Sequence, residues 1–221
     1  MTTWTTQERI ELGPVRLDAD LTLPEHAIGV VLFAHGSGSS RHSPRNRAVA
    51  AALNRRGLAT VLADLLTAEE EVRDARTREL RFDIGLLADR LVGMVDWMRA
   101  QPPTAALPIG LFGASTGGGA ALVAAAARPE AVCAVVSRGG RPDLAGPALL
   151  EVRAPTLLVV GGNDPMVADL NEEARNTMRI RAEVRIVAGA THLFEEAGAL
   201  ETVAEEAGDW FCDHLAAALA R

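Results

Sequence analysis

Residues 107–112 form an apolar run that passes without a break into Gly113-Ala114-Ser115-Thr116-Gly117, then into Gly118-Gly119 and an alanine-rich stretch over residues 120–127. A chain makes that passage as a strand, a tight turn and a helix, which is the context of a G-x-S-x-G nucleophile elbow. The turn holds its central residue in a strained backbone conformation, and bulk at Gly113 or Gly117 would oppose it. Ser115 is therefore expected to stand exposed at the C-terminal end of a strand. The same residues also suit a plain glycine-rich connection in which Ser115 only caps the helix. The surroundings must decide.

The rest of the chain alternates in the same way. Residues 7–12 and 15–23 read as two strands turned at Gly13-Pro14. Continuous apolar runs at 28–34, 58–63, 108–112, 132–137, 156–160 and 184–187 read as strands buried on both faces of a parallel sheet. Between them lie helical patterns. Ser43-Pro44 caps and opens one that ends at Arg55-Arg56-Gly57, and another runs from Asp83, with Ile84, Leu87, Leu91, Val95 and Met98 in phase, until Pro102-Pro103 stops it. Further helices are expected over 165–177 and 200–219. Residues 65–81 are the most polar stretch and read as a solvated short helix or flap, not a binding patch. Strand and helix in alternation predict an α/β fold, a mostly parallel sheet with helices on both faces, held in one domain over residues 1–221.

Composition narrows the chemistry. A formal net charge of -7, with no basic stripe, argues against a nucleic-acid partner. The N-terminus has neither a basic start nor an apolar core, and no run approaches the ~20 apolar residues of a membrane span, so a cytoplasmic protein without a membrane partner is expected. All 22 basic residues are arginine. Without lysine there is no Schiff base, no Ser-Lys dyad and no Walker-type phosphate loop. Cys133 and Cys212 read as buried thiols, outside any disulfide. No metal site is expected, because no acidic residue near His35 and His42 completes a ligand spacing.

A serine hydroxyl attacks only with a general base in reach and an orienting group behind that base. His192 follows the last apolar strand, in Ala190-Thr191-His192, on the sheet edge where the elbow should lie. Asp164 follows the strand before it, in Gly162-Asn163-Asp164-Pro165; alone it reads as an N-cap with proline at the first helical position. Taken together they give the chain order Ser115, Asp164, His192, the order of the α/β-hydrolases. An oxyanion also needs donors. The backbone N–H groups of Thr116 and Ser37 are the candidates, with Gly36 and Gly38 letting the backbone approach substrate. A dinucleotide cradle in that loop fails, since Arg41 stands where G-x-G-x-x-G needs its third glycine. Arg41 and Arg45 flank the presumed mouth, either as a preference for anionic substrates or as surface charges.

His35-Gly36-Ser37-Gly38, Gly113-Ala114-Ser115-Thr116-Gly117, Gly162-Asn163-Asp164 and Ala190-Thr191-His192, together with residues 41–46, resemble the small dienelactone-hydrolase-like group of the α/β-hydrolases over nearly the whole chain. No long insertion follows residues 132–137, so little or no cap domain is expected, and an open site favours small or short-acyl esters. The resemblance implies an eight-stranded core, no cofactor, and hydrolysis of carboxylic esters or lactones through an acyl-enzyme. It implies a small-molecule ester and water as partners, in a monomer or homodimer. Dienelactone hydrolases proper carry cysteine in the elbow, so Ser115 turns the expectation toward general carboxylesterase chemistry. Thioester, amide or perhydrolysis chemistry on the same fold, or a catalytically silent binding module, stays open at this point.

Overall fold

The computed structural model describes residues 2–220. Its centre is an eight-stranded sheet ordered β1-β2-β4-β3-β5-β6-β7-β8. The strands are β1 (Thr3–Leu12), β2 (Val15–Pro24), β3 (Gly29–Ala34), β4 (Leu58–Ala63), β5 (Ile109–Ala114), β6 (Val132–Arg138), β7 (Thr156–Gly161) and β8 (Ala182–Val187). β1 and β2 pair antiparallel, as do β2 and β4; every other pairing is parallel. The helices are α1 (Pro44–Arg55), α2 (Ala68–Thr77), α3 (Ile84–Ala100), α4 (Thr116–Ala127), α5 (Pro165–Thr177) and α6 (Ala199–Leu219). This is the eight-stranded, mostly parallel α/β architecture the sequence predicts.

Burial follows from the patterning. β3, β4, β5 and β7 are buried at every position, as continuous apolar strands between two helical layers must be. On one face Leu32 and Leu111 pack with Leu91, Met94, Val95 and Met98 of α3 and with the alanines of α4. On the other, Phe33 and Phe112 sit with ring centroids 4.8 Å apart beneath Leu53 of α1 and Phe211 and Leu215 of α6. Each such side chain contributes roughly 2–3 kcal/mol of burial. Local chemistry sets the ends: Ser43 Oγ accepts the Asn46 N–H to start α1, and the Asp83 carboxylate accepts the Leu86 N–H to start α3.

The chain enters the sheet's parallel part at β3, steps to β4, and then returns to the other side of β3 as β5. The strand order reverses between β3 and β5. In open α/β sheets the crevice outside the C-terminal ends of such a pair is where ligands bind. Here that crevice lies between the loop after Ala34 and the turn after Ala114, so topology alone brings His35–Ser40 and Ser115 together.

The structure departs from the sequence expectations at two places. β1 starts at Thr3, four residues early, because it pairs with β2 along its whole length although most of it is solvated. A 3₁₀ stretch, Pro142–Leu150, broken at Gly146, lies between β6 and β7 where no element was expected. Residues 68–77 form the short solvated helix expected there, but Asp74 on it is buried and accepts N–H groups from Leu80 and Arg81, which folds the next turn back onto the helix. Cys133 and Cys212 are half-buried and form no disulfide. Among the described residues no helix is long and apolar enough to cross a membrane.

Candidate active site

Ser115 joins β5 to α4 with φ 52° and ψ -122°, a region in which a non-glycine residue costs about 1–3 kcal/mol. The surroundings hold it there. Its N–H donates to Arg138 O of β6 at 3.2 Å, and its carbonyl accepts from Gly118 and Arg141. Gly117 is needed for the turn to fit at all, since a Cβ there would lie 2.4 Å from Ala34 O and 2.6 Å from His35 O. The Ser115 side chain makes no capping hydrogen bond. Its hydroxyl is left for other use.

His192 Nε2 lies 3.4 Å from Ser115 Oγ, and His192 Nδ1 lies 2.7 Å from Asp164 Oδ2. A carboxylate only accepts, so Nδ1 carries the proton and the Nε2 lone pair faces the serine hydroxyl. Imidazole so placed can take the hydroxyl proton; the longer of the two contacts shortens readily once a substrate is in place. Asp164 precedes Pro165 at the start of α5 but makes no capping bond there, its carboxylate being turned to His192 instead. Asn163 steadies the pair by donating from its backbone to Ala190 O and from its side chain to Gly189 O. Glu196, which sequence reasoning passed over, accepts both the N–H and the hydroxyl of Thr191, and those bonds hold its carboxyl below the usual range. Thr191-His192 is thus fixed from both sides.

The loop after β3 runs against the elbow. A Cβ on Gly36 would lie 3.2 Å from both Ser115 Cβ and Ala114 O, a tight contact that any side chain here would press against the turn. His35 is buried beneath the loop. Its Nε2 accepts the Leu65 N–H at 3.1 Å, which leaves Nδ1–H to donate to Gly36 O at 3.0 Å. Burial pushes its pKa below the ordinary value and keeps the ring neutral. Among the described residues no turn, loop or cap hydrogen bond uses the N–H of Ser37 or of Thr116. Ser37 and Thr116 both line a cavity of about 470 Å³, walled also by Gly38, Leu66, Leu87 and Arg81; Ser115 itself is outside that lining, one residue before Thr116.

That cavity revises one substrate-side expectation. Arg41 does not face it: the guanidinium is held by Asp64, lies 3.7 Å from Asp20, and turns toward the β1–β2 side of the sheet. Arg45 is paired with Glu195 at 3.1 Å. The arginine at the cavity wall is Arg81, anchored on Asp74 through Nε at 2.5 Å, with its Nη1 near Gly38. The polar stretch 65–81 therefore supplies a wall of the site. Among the described residues no group of His, Cys, Asp and Glu side chains has the arrangement to hold a metal.

Residues 17–216 match the model of the dienelactone hydrolase family. The crystal structure of a dienelactone hydrolase from Anabaena variabilis ATCC 29413 is 58% identical, with a TM-score of 0.95 over 96% of this chain and 98% of that one. Est1E from Butyrivibrio proteoclasticus shares the fold at 17% identity, with a TM-score of 0.79 over 95% of this chain and 99% of that one. Two Mycobacterium tuberculosis proteins, from strains CDC 1551 / Oshkosh and ATCC 25618 / H37Rv and each named "Putative phosphoribosyl transferase", are 58% identical over 207 residues, 94% of this chain. The chain spans about half their length, 46%.

Proposed function

Because the chain belongs to the dienelactone hydrolase family, a family of ester-hydrolysing enzymes, we propose that it is a serine hydrolase that cleaves small or short-acyl carboxylic esters, or lactones, through an acyl-enzyme. Ser115 attacks the ester carbonyl as His192 Nε2 takes its proton. The oxyanion that forms is met by the N–H groups of Thr116 and Ser37, the first at the positive end of α4. His192, now cationic, is stabilised by Asp164 and returns the proton to the leaving alkoxide, which departs as the alcohol. Water then enters, gives a proton to His192 and attacks the acyl carbon; the proton passes to Ser115 Oγ as the acid leaves.

The observation that carries this reading is the hydrogen-bonded chain from Asp164 through His192 to a serine held at positive φ. Both candidate caps, Ser115 and Asp164, forgo capping and turn their side chains to His192. A purely structural role accounts for neither. The cavity beside Thr116 combines hydroxyl, carboxylate and guanidinium groups with Leu66 and Leu87 in its wall, which suits a compact ester that carries polar groups. Turnover of p-nitrophenyl acetate and butyrate tests the reading: the native chain hydrolyses them and Ser115→Ala does not. Equal rates in the two proteins overturn it.

The transferase name of the Mycobacterium tuberculosis relatives we assign to the part of those proteins outside the match, since this chain accounts for 46% of their length and the reading proposed for its site is hydrolysis.

A further inference from the structure

Arg138 closes β6 beneath the nucleophile turn, its carbonyl accepting the Ser115 N–H at 3.2 Å. Its side chain enters the layer between the sheet and the first turn of α1, and the residue is only 7% exposed. There it has little company. Nη2 donates to Asn46 Oδ1 at 3.5 Å, and the guanidinium carbon lies 5.9 Å from the centre of the Phe194 ring. Nε and Nη1 have no hydrogen-bond partner among the described residues. The charge that acts on it is another cation, Arg45, whose own Nε is buried without a partner. Burial and that neighbour push Arg138 down to about 10.

Buried charges are paired as a rule, and an orphaned buried donor asks for an ion or water to satisfy it. The charge of Arg45 is answered by Glu195. Nothing answers Arg138, so one unit of positive charge and three donor nitrogens of two neighbouring guanidiniums stand open in the interior. We propose that Arg138, with Arg45 Nε, binds a small monovalent anion, chloride in ordinary salt, between the first turn of α1 and Phe194. The single uncompensated charge calls for a monovalent ion. The enclosure favours a monatomic one, since Asn46 and Phe194 beside the guanidinium are 2% and 1% exposed and a monatomic ion asks for the least space. Phe194 is two residues from His192, and Arg138 holds the Ser115 N–H, so the ion would brace the two halves of the candidate site from below.

The test uses the full chain dialysed into sodium gluconate and titrated with sodium chloride at constant ionic strength. Chloride raises Tm saturably by roughly 3 °C, bromide does the same and sulfate does not. Arg138→Met, which removes an uncompensated buried cation, loses the halide response and is at least as stable in gluconate as the native chain. Crystals grown in bromide show an anomalous peak within hydrogen-bond reach of Arg138 Nε or Nη1. Equal Tm in chloride and gluconate, a halide response kept in Arg138→Met, or no bromide at Arg138 overturns the proposal. If the variant does not fold, the bromide crystal of the native chain decides alone.

Discussion

In Asp164→Asn the side chain keeps its shape and loses its charge, and because Asp164 makes no capping bond to α5 the fold loses little. The effect falls on His192. The carboxylate now sits 2.7 Å from Nδ1. With the two charge centres about 4 Å apart and an effective dielectric near 20, it stabilises the imidazolium of the transition state by ~4 kcal/mol. At roughly 1.4 kcal/mol per tenfold, that is about 10³ in kcat. The amide adds a second cost, since its N–H favours the tautomer with the proton on Nε2, where it faces Ser115 and blocks proton transfer; the total approaches ~10⁴. Steady-state hydrolysis of p-nitrophenyl acetate near neutral pH measures kcat, and thermal unfolding checks that Tm moves by no more than about 3 °C. A variant with native Tm and kcat within tenfold of the native chain refutes the role given to Asp164.

Other outcomes follow from the same contacts. Gly117→Ala places a methyl group 2.4 Å from Ala34 O, where backbone must give way, and is expected to destabilise by about 2–4 kcal/mol in urea unfolding; a loss under ~1 kcal/mol contradicts the close approach. His35 is held neutral, with its pKa lowered below 6.5, so the unfolded chain takes up protons first as pH falls below that value and stability drops there. His35→Gln removes part of that acid slope in urea melts at pH 7.5 and 5; an unchanged slope contradicts the buried neutral ring. Arg41→Ala leaves unchanged the ratio of kcat/KM for a dicarboxylic acid monoester and its neutral diester, because Arg41 is spent on Asp64 and not on the cavity; a loss of preference for the anionic ester would restore it to the site.

Most of this candidate site is legible in the sequence. Parallel strands buried on both faces are near-continuous apolar runs, so β3 to β7 announce themselves, and the ends of such strands carry Ser115, Asp164 and His192 in a telling order. Solvated or irregular segments hid the rest. The outer half of β1 has no apolar periodicity and is ordered by pairing with β2. Pro142–Leu150 is a 3₁₀ stretch, which has no sequence period to find. α2 did leave a signal, Thr67-Ala68-Glu69-Glu70, a capping box whose two bonds both form, but its function hangs on Asp74 folding Arg81 back toward the loop after β3, a contact that spacing does not show. Arg41 misled for a related reason. Its acidic partners come from β2 and from the end of β4, and only the sheet brings them together.

Ser115, in the proposed function, is a nucleophile activated through His192. The most direct measurement is intact mass after brief exposure to a fluorophosphonate probe, with peptide mapping of the adduct. A single adduct on Ser115 is expected, lost in Ser115→Ala and slowed by about 10³ or more in His192→Ala. No adduct on the native chain, or an adduct that persists in Ser115→Ala, would contradict it.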